Sequence, residues 1–380
     1  MALASATPLS SFDMADGEFL DLSNELAEII RRDNTAFISK LGISGVATET
    51  KHSWMEDSLN VMTATCAEAL DSSETTLDLL AGDGVKFRIG TIFKLAVVGK
   101  TEVMQVTAIS TDALTIVRGY GSTTGEAGTS ATDDPITIIA HPQQEGQDAP
   151  ADETKIRTKV SNYTQIFTKG INISYTMRAV MQAGVADEFT FQIARRLMEI
   201  MRELDSTVIN GISSASQGSD TIYRTMAGLV EFTSQSGGNT NSTSEALTPA
   251  VLNDMCKQIW DDGGNPNFVL VGGSQKRKIS AFDQSYRRSA YDSNTVGYVV
   301  DKFMSDLGFM LDVMVDPNMP ADVAIVGDIN KIRLMPLRTD SMRAEDLAKT
   351  GRSWKAQVTG QYTLEVRNAK QAFAIHTALT

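Results

Sequence analysis

The sequence is poor in the residues that most often carry metal or covalent chemistry. Its 380 residues include 2 cysteines and 3 histidines. Cys66 and Cys256 lie far apart without metal-binding spacing, and His52, His141 and His376 lie in separate segments without an H-E-x-x-H pattern. The sequence therefore predicts neither a disulfide framework nor a metal site, and no cofactor is expected. Scarce cysteine also fits synthesis in a reducing cytoplasm.

Long apolar runs are missing as well. No stretch reaches the roughly 18 apolar residues of a transmembrane helix, and the N-terminus lacks the basic and apolar segments of a secretory signal. We therefore expect no membrane partner. The nucleophile pattern G-x-S-x-G is also absent, which removes the most recognisable signal of a hydrolase.

Basic residues are fewer than acidic ones. The chain has 34 Lys and Arg residues and 47 Asp and Glu residues, which gives a net charge of −13. The excess is concentrated in two segments. Residues 1–50 hold eight acids and three bases, and residues 66–150 hold twelve acids and five bases. A surface of this sign does not attract nucleic acid or anionic lipid, so sequence-specific DNA binding is not expected.

The most regular pattern is a long amphipathic stretch, for which we predict a helix over 185–210. Apolar residues recur every three or four positions, which is the spacing of one helical face. At 1.5 Å per residue this helix is about 39 Å long. A sheet is its expected support, because the pattern contains no sustained heptad. The apolar positions are Val185, Phe189, Ile193, Leu197, Met201, Leu204 and Val208.

The chain before this helix divides into an arm, a hairpin and an insertion. Residues 1–50 resemble an extended arm, since they hold one amphipathic piece among small and polar residues. Residues 51–65 and 143–165 predict the strands of a long hairpin. Between them, residues 66–142 contain short β-type runs separated by turn residues. This spacing predicts an inserted, barrel-like β-domain.

The chain after the hairpin predicts two further parts. Residues 166–234 contain an alternating strand and the long helix, and residues 329–380 return to a β pattern that needs a partner sheet. The strand before the helix can provide that sheet. Between them, helices and strands alternate over 235–328, which predicts a compact α/β domain. Thr248 and Pro249 supply a capping residue and a first-turn proline for one of its helices.

The best candidate for a ligand site is the basic turn that begins at Gly272. Three bases, Lys276, Arg277 and Lys278, crowd a predicted helix start, where an anion could bind. The turn lacks the phosphate-loop pattern, however, and a glycine turn with a serine N-cap at Ser274 explains it better. The Gly119–Gly121 stretch follows a strand without a helix after it, so a hairpin turn is favoured over a dinucleotide site.

The order of these parts, together with several stretches, resembles a known family. The stretches are SWMEDSL, NYTQIFTKGINISYTMRAVMQAGVADEF, MAGLVEF and the pattern IGTIFKL…TEVMQVTAIS…LTIVRGYG. They are similar to the major capsid proteins of tailed bacteriophages, in the branch named for phage SU-ten. The resemblance implies the α+β Hong Kong 97 (Johnson) fold, with a long spine helix, a β-hairpin E-loop, a P-domain, an A-domain and an inserted small all-β domain.

In the terms of that family, residues 1–50 are the N-arm. The E-loop strands are residues 51–65 and 143–165. Residues 66–142 are the inserted β-domain. The P-domain takes 166–234 and 329–380, and it includes the spine helix 185–210. The A-domain takes 235–328.

The resemblance implies a structural protein without catalytic residues. Copies of the chain are expected to form hexamers and pentamers, which tile an icosahedral phage head around double-stranded DNA. The expected location is the virion capsid, after synthesis in the bacterial host cytoplasm. Scaffolding, decoration and portal proteins are further partners that the family allows. No cleavable N-terminal scaffolding segment is evident, and the sequence does not decide whether a separate scaffolding protein takes part in assembly.

Candidate subunit contacts come from aromatic and charged residues in these parts. Trp54 has two interpretations, a core aromatic or an interface anchor, because tryptophan is enriched at interface hot spots. The arginines lie on the non-apolar faces of the long helix or extend the basic surface near Gly272. The full set is Trp54, Glu56, Asp57, Arg195, Arg196, Arg287 and Arg288.

Three other functions compete with that of a phage capsid protein. A nanocompartment (encapsulin-like) shell has the same fold and would enclose protein cargo instead of DNA. A β-rich binding or decoration module of a virion would account for residues 66–142, but it leaves the long helix and the returning C-terminal strands unexplained. An enzyme is the least favoured, since only the basic turn at Gly272 offers polar groups that converge.

Overall fold

The computed structural model describes residues 36–127, 134–150, 152, 154–179, 187–235, 238–282, 301–349 and 351–380. The chain forms two compact units. The main unit combines the chain up to Trp54 with Lys159–Thr380, and the inserted unit is Met55–Thr158.

The α-helices of the described residues all belong to the main unit. They are α1 (Ala36–Leu41), α2 (Tyr175–Ala179), α3 (Glu188–Asn210), α4 (Leu229–Thr233), α5 (Pro249–Asp261), α6 (Gly273–Ser280) and α7 (Ala369–Ala372).

The strands of the described residues form four sheets. The strands are β1 (Lys51–Glu56), β2 (Thr63–Thr65), β3 (Thr76–Asp78), β4 (Ile92–Leu95), β5 (Val103–Ser110), β6 (Ala113–Val117), β7 (Pro135–Ala140), β8 (Thr158–Tyr163), β9 (Gln165–Ser174), β10 (Asn239–Asn241), β11 (Phe268–Val271), β12 (Lys302–Met304), β13 (Met310–Val315), β14 (Ala324–Gly327), β15 (Ile332–Pro336), β16 (Arg343–Leu347), β17 (Ser353–Val366) and β18 (Phe373–His376).

Helix α3 begins and ends with local signals. Asp187 caps its first turn, because one carboxylate oxygen accepts from the Phe189 amide at 3.3 Å and the other from the Thr190 hydroxyl at 2.7 Å. At the other end the Gly211 amide donates to the carbonyl of Thr207 at 2.8 Å. The helix lies against β9 and β17, so a sheet supports it. The predicted start at Val185 lies outside the described residues.

The sheet under α3 joins distant parts of the chain. Strand β17 pairs antiparallel with β9 over a register that runs from Ser353 opposite Ser174 to Tyr362 opposite Gln165. Its other edge pairs with β15 and β16. The prediction that the C-terminal strands return to the strand before the long helix is therefore confirmed for β17. Alternate residues of β9 are buried because one face of this strand packs into the core.

The second sheet of the main unit is mixed and follows the order β10-β18-β14-β11-β13-β12. Helix α5 packs on it and is capped by Thr248, whose hydroxyl accepts from the Val251 amide. Strand β18 pairs with β14 in the interior of this sheet, which differs from the predicted division, in which all of 329–380 accompanied the first sheet. The reason is that all four residues of β18 are buried and require neighbours on both faces.

The inserted unit is one antiparallel sheet of order β2-β7-β4-β5-β6-β3. Its core side chains alternate along β5, β6 and β7. The edge strands β2 and β3 meet through an antiparallel bridge between Cys66 and Leu79, which gives the sheet a barrel-like closure. Because β2 pairs with β7, residues 63–65 belong to this sheet and not to the hairpin strand predicted over 51–65. The hairpin itself consists of β1 and β8.

Candidate subunit-contact surfaces

The described residues do not assemble a metal site or a reactive thiol. No group of three or more His, Cys, Asp or Glu side chains among them is placed to hold a metal ion. His52 and His376 each lie against one carboxylate, Glu365 at 2.7 Å and Glu245 at 2.9 Å. Both cysteines are buried. Burial raises the pKa of the Cys66 thiol to about 12 and that of Cys256 to about 11, so neither is activated as a thiolate.

No helix of the described residues has the length and apolar content that crossing a membrane requires.

The polar side chains of the basic turn at Gly272 bind a carbonyl group of the same chain. The Gln275 side chain is buried, and its amide nitrogen donates to the carbonyl of Ala321 at 2.8 Å. The hydroxyl of Ser274 donates to the same carbonyl at 3.2 Å. The helix cap is Gly272, without a side-chain hydrogen bond, so the expected N-cap role of Ser274 is wrong. This geometry favours a structural turn over an anion site.

Trp54 lies in the core of its own chain, with only 7% of its surface exposed. Its ring packs 5.9 Å from that of Phe232 and 5.9 Å from that of His52. This placement agrees with the core interpretation of Trp54. The two acids after it differ in exposure. Glu56 is half-buried, and Asp57 is exposed with a carboxylate oxygen 3.7 Å from the Arg157 guanidinium.

The two helix arginines lie on α3 and bind within that helix. The guanidinium of Arg195 lies 4.9 Å from the Phe191 ring, and that of Arg196 pairs with Glu199 at 2.6 Å. Arg287 and Arg288 lie outside the described residues. The structure therefore places Arg195 and Arg196 together but does not bring Trp54 to that surface.

A depression of about 420 Å³ runs along the polar side of α3. Its charges are mixed, because Lys169 pairs with Glu203 at 2.6 Å on its rim. This arrangement does not concentrate one sign of charge and does not suggest a substrate site. The lining residues are Lys169, Glu199, Arg202, Glu203, Ser206, Thr207 and Asn318.

The apolar stripe of α3 is covered unevenly. Its fully buried members, Leu204 and Val208, lie in the C-terminal half together with buried Ile200, and Phe189 and Ile193 are partly buried against the core. Leu197 lies seven residues before Leu204 on the same face, yet it is 42% exposed. The sequence pattern predicted burial for Leu197, but in this half of the helix Phe189 and Ile193 make the contacts with the core.

A second apolar surface, missed by the sequence analysis, follows α3. Ile212, Ile222 and Tyr223 are 74%, 52% and 92% exposed. The turn that presents them is ordered by hydrogen bonds between Ser219 and Ile222. Its one sequence signal was two large apolar residues inside a stretch otherwise rich in Ser, Gly and Asp. Exposed apolar groups on an ordered turn are typical of protein contacts.

Comparison with known proteins indicates which kind of protein carries these surfaces. The family model of the SU10 major capsid protein matches residues 5–380. No curated protein sequence matches the chain.

Three solved structures illustrate the similarity of fold. The capsid of an empty GTA particle aligns at a TM-score of 0.53 with 12% identity, over 98% of this chain and 100% of that one. A chain of Gordonia phage Cozz aligns at 0.51 with 12% identity, over 99% and 96%. A chain of Mycobacterium phage Bobi aligns at 0.51 with 11% identity, over 98% and 99%. At these identities the likeness shows the α+β fold that the sequence resemblance implied.

Proposed function

The chain belongs to the SU10 major capsid protein family, so it is a shell protein of a virion capsid, and we propose how it builds that shell. Copies associate as hexamers and pentamers that close an icosahedral head around double-stranded DNA. The protein is made in the bacterial host cytoplasm and catalyses no reaction. Family membership supports this proposal over a nanocompartment shell or a decoration module, because the match extends over nearly the whole chain.

The parts of the family correspond to observed elements in this proposal. Helix α3 is the spine helix, and the sheet of β9, β15, β16 and β17 is the P-domain. The mixed sheet with α5 and α6 is the A-domain. Strands β1 and β8 are the E-loop, within which the inserted unit is carried. Residues 1–50 are the N-arm.

The observation that carries the assembly proposal is the uncovered part of the α3 stripe. The same helical face that buries Leu204 and Val208 inside the chain leaves Leu197 exposed. A neighbouring copy that covers Leu197 completes the burial of this face, and each Å² of apolar surface removed from water contributes about 25 cal/mol. Arg195 and Arg196 flank this contact on α3, and Ile222 and Tyr223 supply a second one.

The net charge of the chain argues against tight or sequence-specific binding of the DNA that the shell encloses. The chain is acidic, with a net charge of −13, so it offers little counterion release to DNA. In this proposal the DNA is held inside because the shell around it is closed. Glu56 and Asp57 of one copy, and Arg287 and Arg288 of another, are proposed as polar contacts between copies. Scaffolding, decoration and portal proteins are further proposed partners.

Expression of the full chain, followed by size-exclusion chromatography and negative-stain electron microscopy, tests the proposal. We expect rings of five or six copies, or closed shells. The variant Leu197→Glu should lose these assemblies, and the matched variant Leu197→Met should keep them. Circular dichroism of both variants checks that the chain still folds.

Two results would contradict the proposal. The first is a chain that stays monomeric in every buffer and also when produced with the neighbouring genes of its source. The second is assembly that Leu197→Glu leaves unchanged, which would remove the α3 contact. Nuclease-protected nucleic acid inside particles from the natural source separates a phage head from a compartment that holds protein.

A further inference from the structure

Two carboxyl groups meet in the interior of the main unit. Asp205 lies on the buried side of α3, and Asp316 follows β13; both residues are 0% exposed. Oδ1 of Asp205 and Oδ2 of Asp316 have no donor among the described residues. The two side chains are within hydrogen-bonding reach of each other. Two buried acceptors in this position require a hydrogen between them, because an unpaired buried oxygen is costly.

Asn318 holds both carboxyl groups in place. Its side-chain nitrogen donates to Oδ2 of Asp205 at 2.7 Å, and its backbone amide donates to Oδ1 of Asp316 at 2.8 Å. Asn210, at the end of α3, donates in turn to the carbonyl of Asn318 at 2.6 Å. The remaining oxygens are therefore the ones that are left to share a proton.

The pair connects three elements that are distant in sequence. Asp205 belongs to α3, and the backbone amide of Ile38 in α1 donates to its carboxyl group. The amide of Asp316 donates to the carbonyl of Val271, at the end of β11, at 3.1 Å. The carboxyl pair thus joins the long helix to the mixed sheet and to the first described helix.

Other charges on these elements do not neutralise the pair. Lys40 of α1 binds Asp312 of β13 at 2.6 Å, and Lys302 of β12 approaches the same carboxylate at 3.8 Å. On α3 the nearest charged residues are Arg202 and Glu203; Arg202 is exposed, and Glu203 pairs with Lys169 of β9 at 2.6 Å.

We propose that Asp205 and Asp316 share one proton and act as a latch, which holds α3, α1 and the turn at 316–319 together and loosens when that proton leaves. The inference rests on the geometry of the pair and does not depend on the proposed assembly. In a shell protein, such a latch makes the fit between the long helix and the mixed sheet sensitive to pH.

The direction of the pH effect follows from the environment of the pair. Burial and the charge of Asp316 raise the pKa of Asp205 to about 7, and burial also raises the pKa of Asp316. In an opened state each carboxyl has a pKa of about 3.9. Opening therefore releases a proton between about pH 4 and pH 7, and the opening constant rises about tenfold per pH unit across that window. It levels off above about pH 7.

Hydrogen exchange of the Ile38 and Asn318 amides in the full chain, corrected for intrinsic exchange, measures this opening. From pH 5 to pH 7 we expect the opening constant to rise about fiftyfold and then to level off. Asp205→Asn should abolish the rise, since its amide can donate permanently to Asp316. Asp346→Asn, which neutralises an exposed carboxylate on β16, is the matched control and should retain the rise.

Difference infrared spectroscopy of the unmodified chain provides a test that does not depend on the variants. We expect a protonated-carboxyl band at pH 5.5 that disappears by pH 8.5, and we expect Asp205→Asn to lack it. A chain without that band at pH 5.5, or an opening constant independent of pH from 5 to 7, would overturn the latch.

Discussion

The guanidinium of Arg118 binds the carboxylate of Glu102 through two hydrogen bonds, of 2.7 Å and 2.5 Å, inside the inserted unit. The Glu102 side chain is 1% exposed. The same carboxylate accepts from the amides of Gly119 and Glu126, and Arg118 also donates to the carbonyl of Asp71. One ion pair therefore connects three loops of the barrel-like sheet.

Arg118→Met should destabilise the inserted unit by about 3–5 kcal/mol, because it leaves the Glu102 charge buried without its partner. Arg157→Met is the matched control. Arg157 pairs with Asp57 across 3.7 Å on the surface, and loss of an exposed pair costs at most about 1 kcal/mol. Urea unfolding of both variants measures the difference. If the two variants lost the same unfolding free energy, burial of Glu102 would not determine how much the Arg118–Glu102 pair contributes to stability.

Acid should weaken the main unit through Glu365. Burial works to raise the pKa of this carboxyl, but hydrogen bonds from His52 and Arg367 hold it below the usual value. A lowered pKa gives stability that is present above the unfolded pKa of about 4.3 and is lost as pH falls through the folded value. Glu365→Gln removes this contribution, so the gap in melting temperature between variant and wild type should narrow from pH 7 to pH 3. A gap that is constant over this range would contradict the assignment.

Asn162→Ala should lower the free energy of unfolding by about 2–4 kcal/mol, because it leaves buried backbone groups without partners. The Asn162 side chain donates to the carbonyls of Ala227 and Leu364, and its oxygen accepts from the Ala227 amide at 2.9 Å. Asn172→Ala on the exposed side of β9 is the control and should change stability by less than about 0.5 kcal/mol. Similar losses in guanidinium unfolding would argue against a special role for Asn162.

Much of the fold could be predicted because its signals are local. The long helix has a continuous apolar repeat and a C-terminal cap at Gly211, and α5 has its cap and proline at Thr248 and Pro249. The strands β9 and β17 alternate in sequence and pair over their length. In each case the residues that specify the element lie within it.

The remaining features depend on partners that are distant in the chain. The three apolar residues of β18, Phe373, Ala374 and Ile375, indicate a buried strand but do not say which sheet receives it. Asp205 stands between Leu204 and Val208 on the buried face, which marks it as unusual, but its partner Asp316 comes from another element. Exposure of Leu197 depends on how the other elements of the chain lie against that side of α3. Periodicity within one helix carries no information about their placement.

Close contact between two backbones at the end of α3 makes Gly228 a sensitive glycine to test. Its amide donates to the carbonyl of Gly211 at 2.8 Å. A Cβ added at Gly228 would lie 2.5 Å from the Gly211 nitrogen and 2.8 Å from two carbonyl oxygens of α3. Because those atoms are backbone, they cannot move aside without disturbing the helix end.

Gly228→Ala should therefore cost about 3 kcal/mol or more in unfolding free energy, at the upper end of the usual cost of overpacking. Gly170→Ala is the matched control, since a Cβ there meets nothing within 4 Å on the exposed side of β9. It should be neutral or stabilise the chain by up to about 1 kcal/mol, through the lower entropy of the unfolded state. Thermal and urea unfolding of the two variants provide the comparison. If Gly228→Ala were as stable as Gly170→Ala, the backbone of α3 and that of Gly228 could not approach as closely as described.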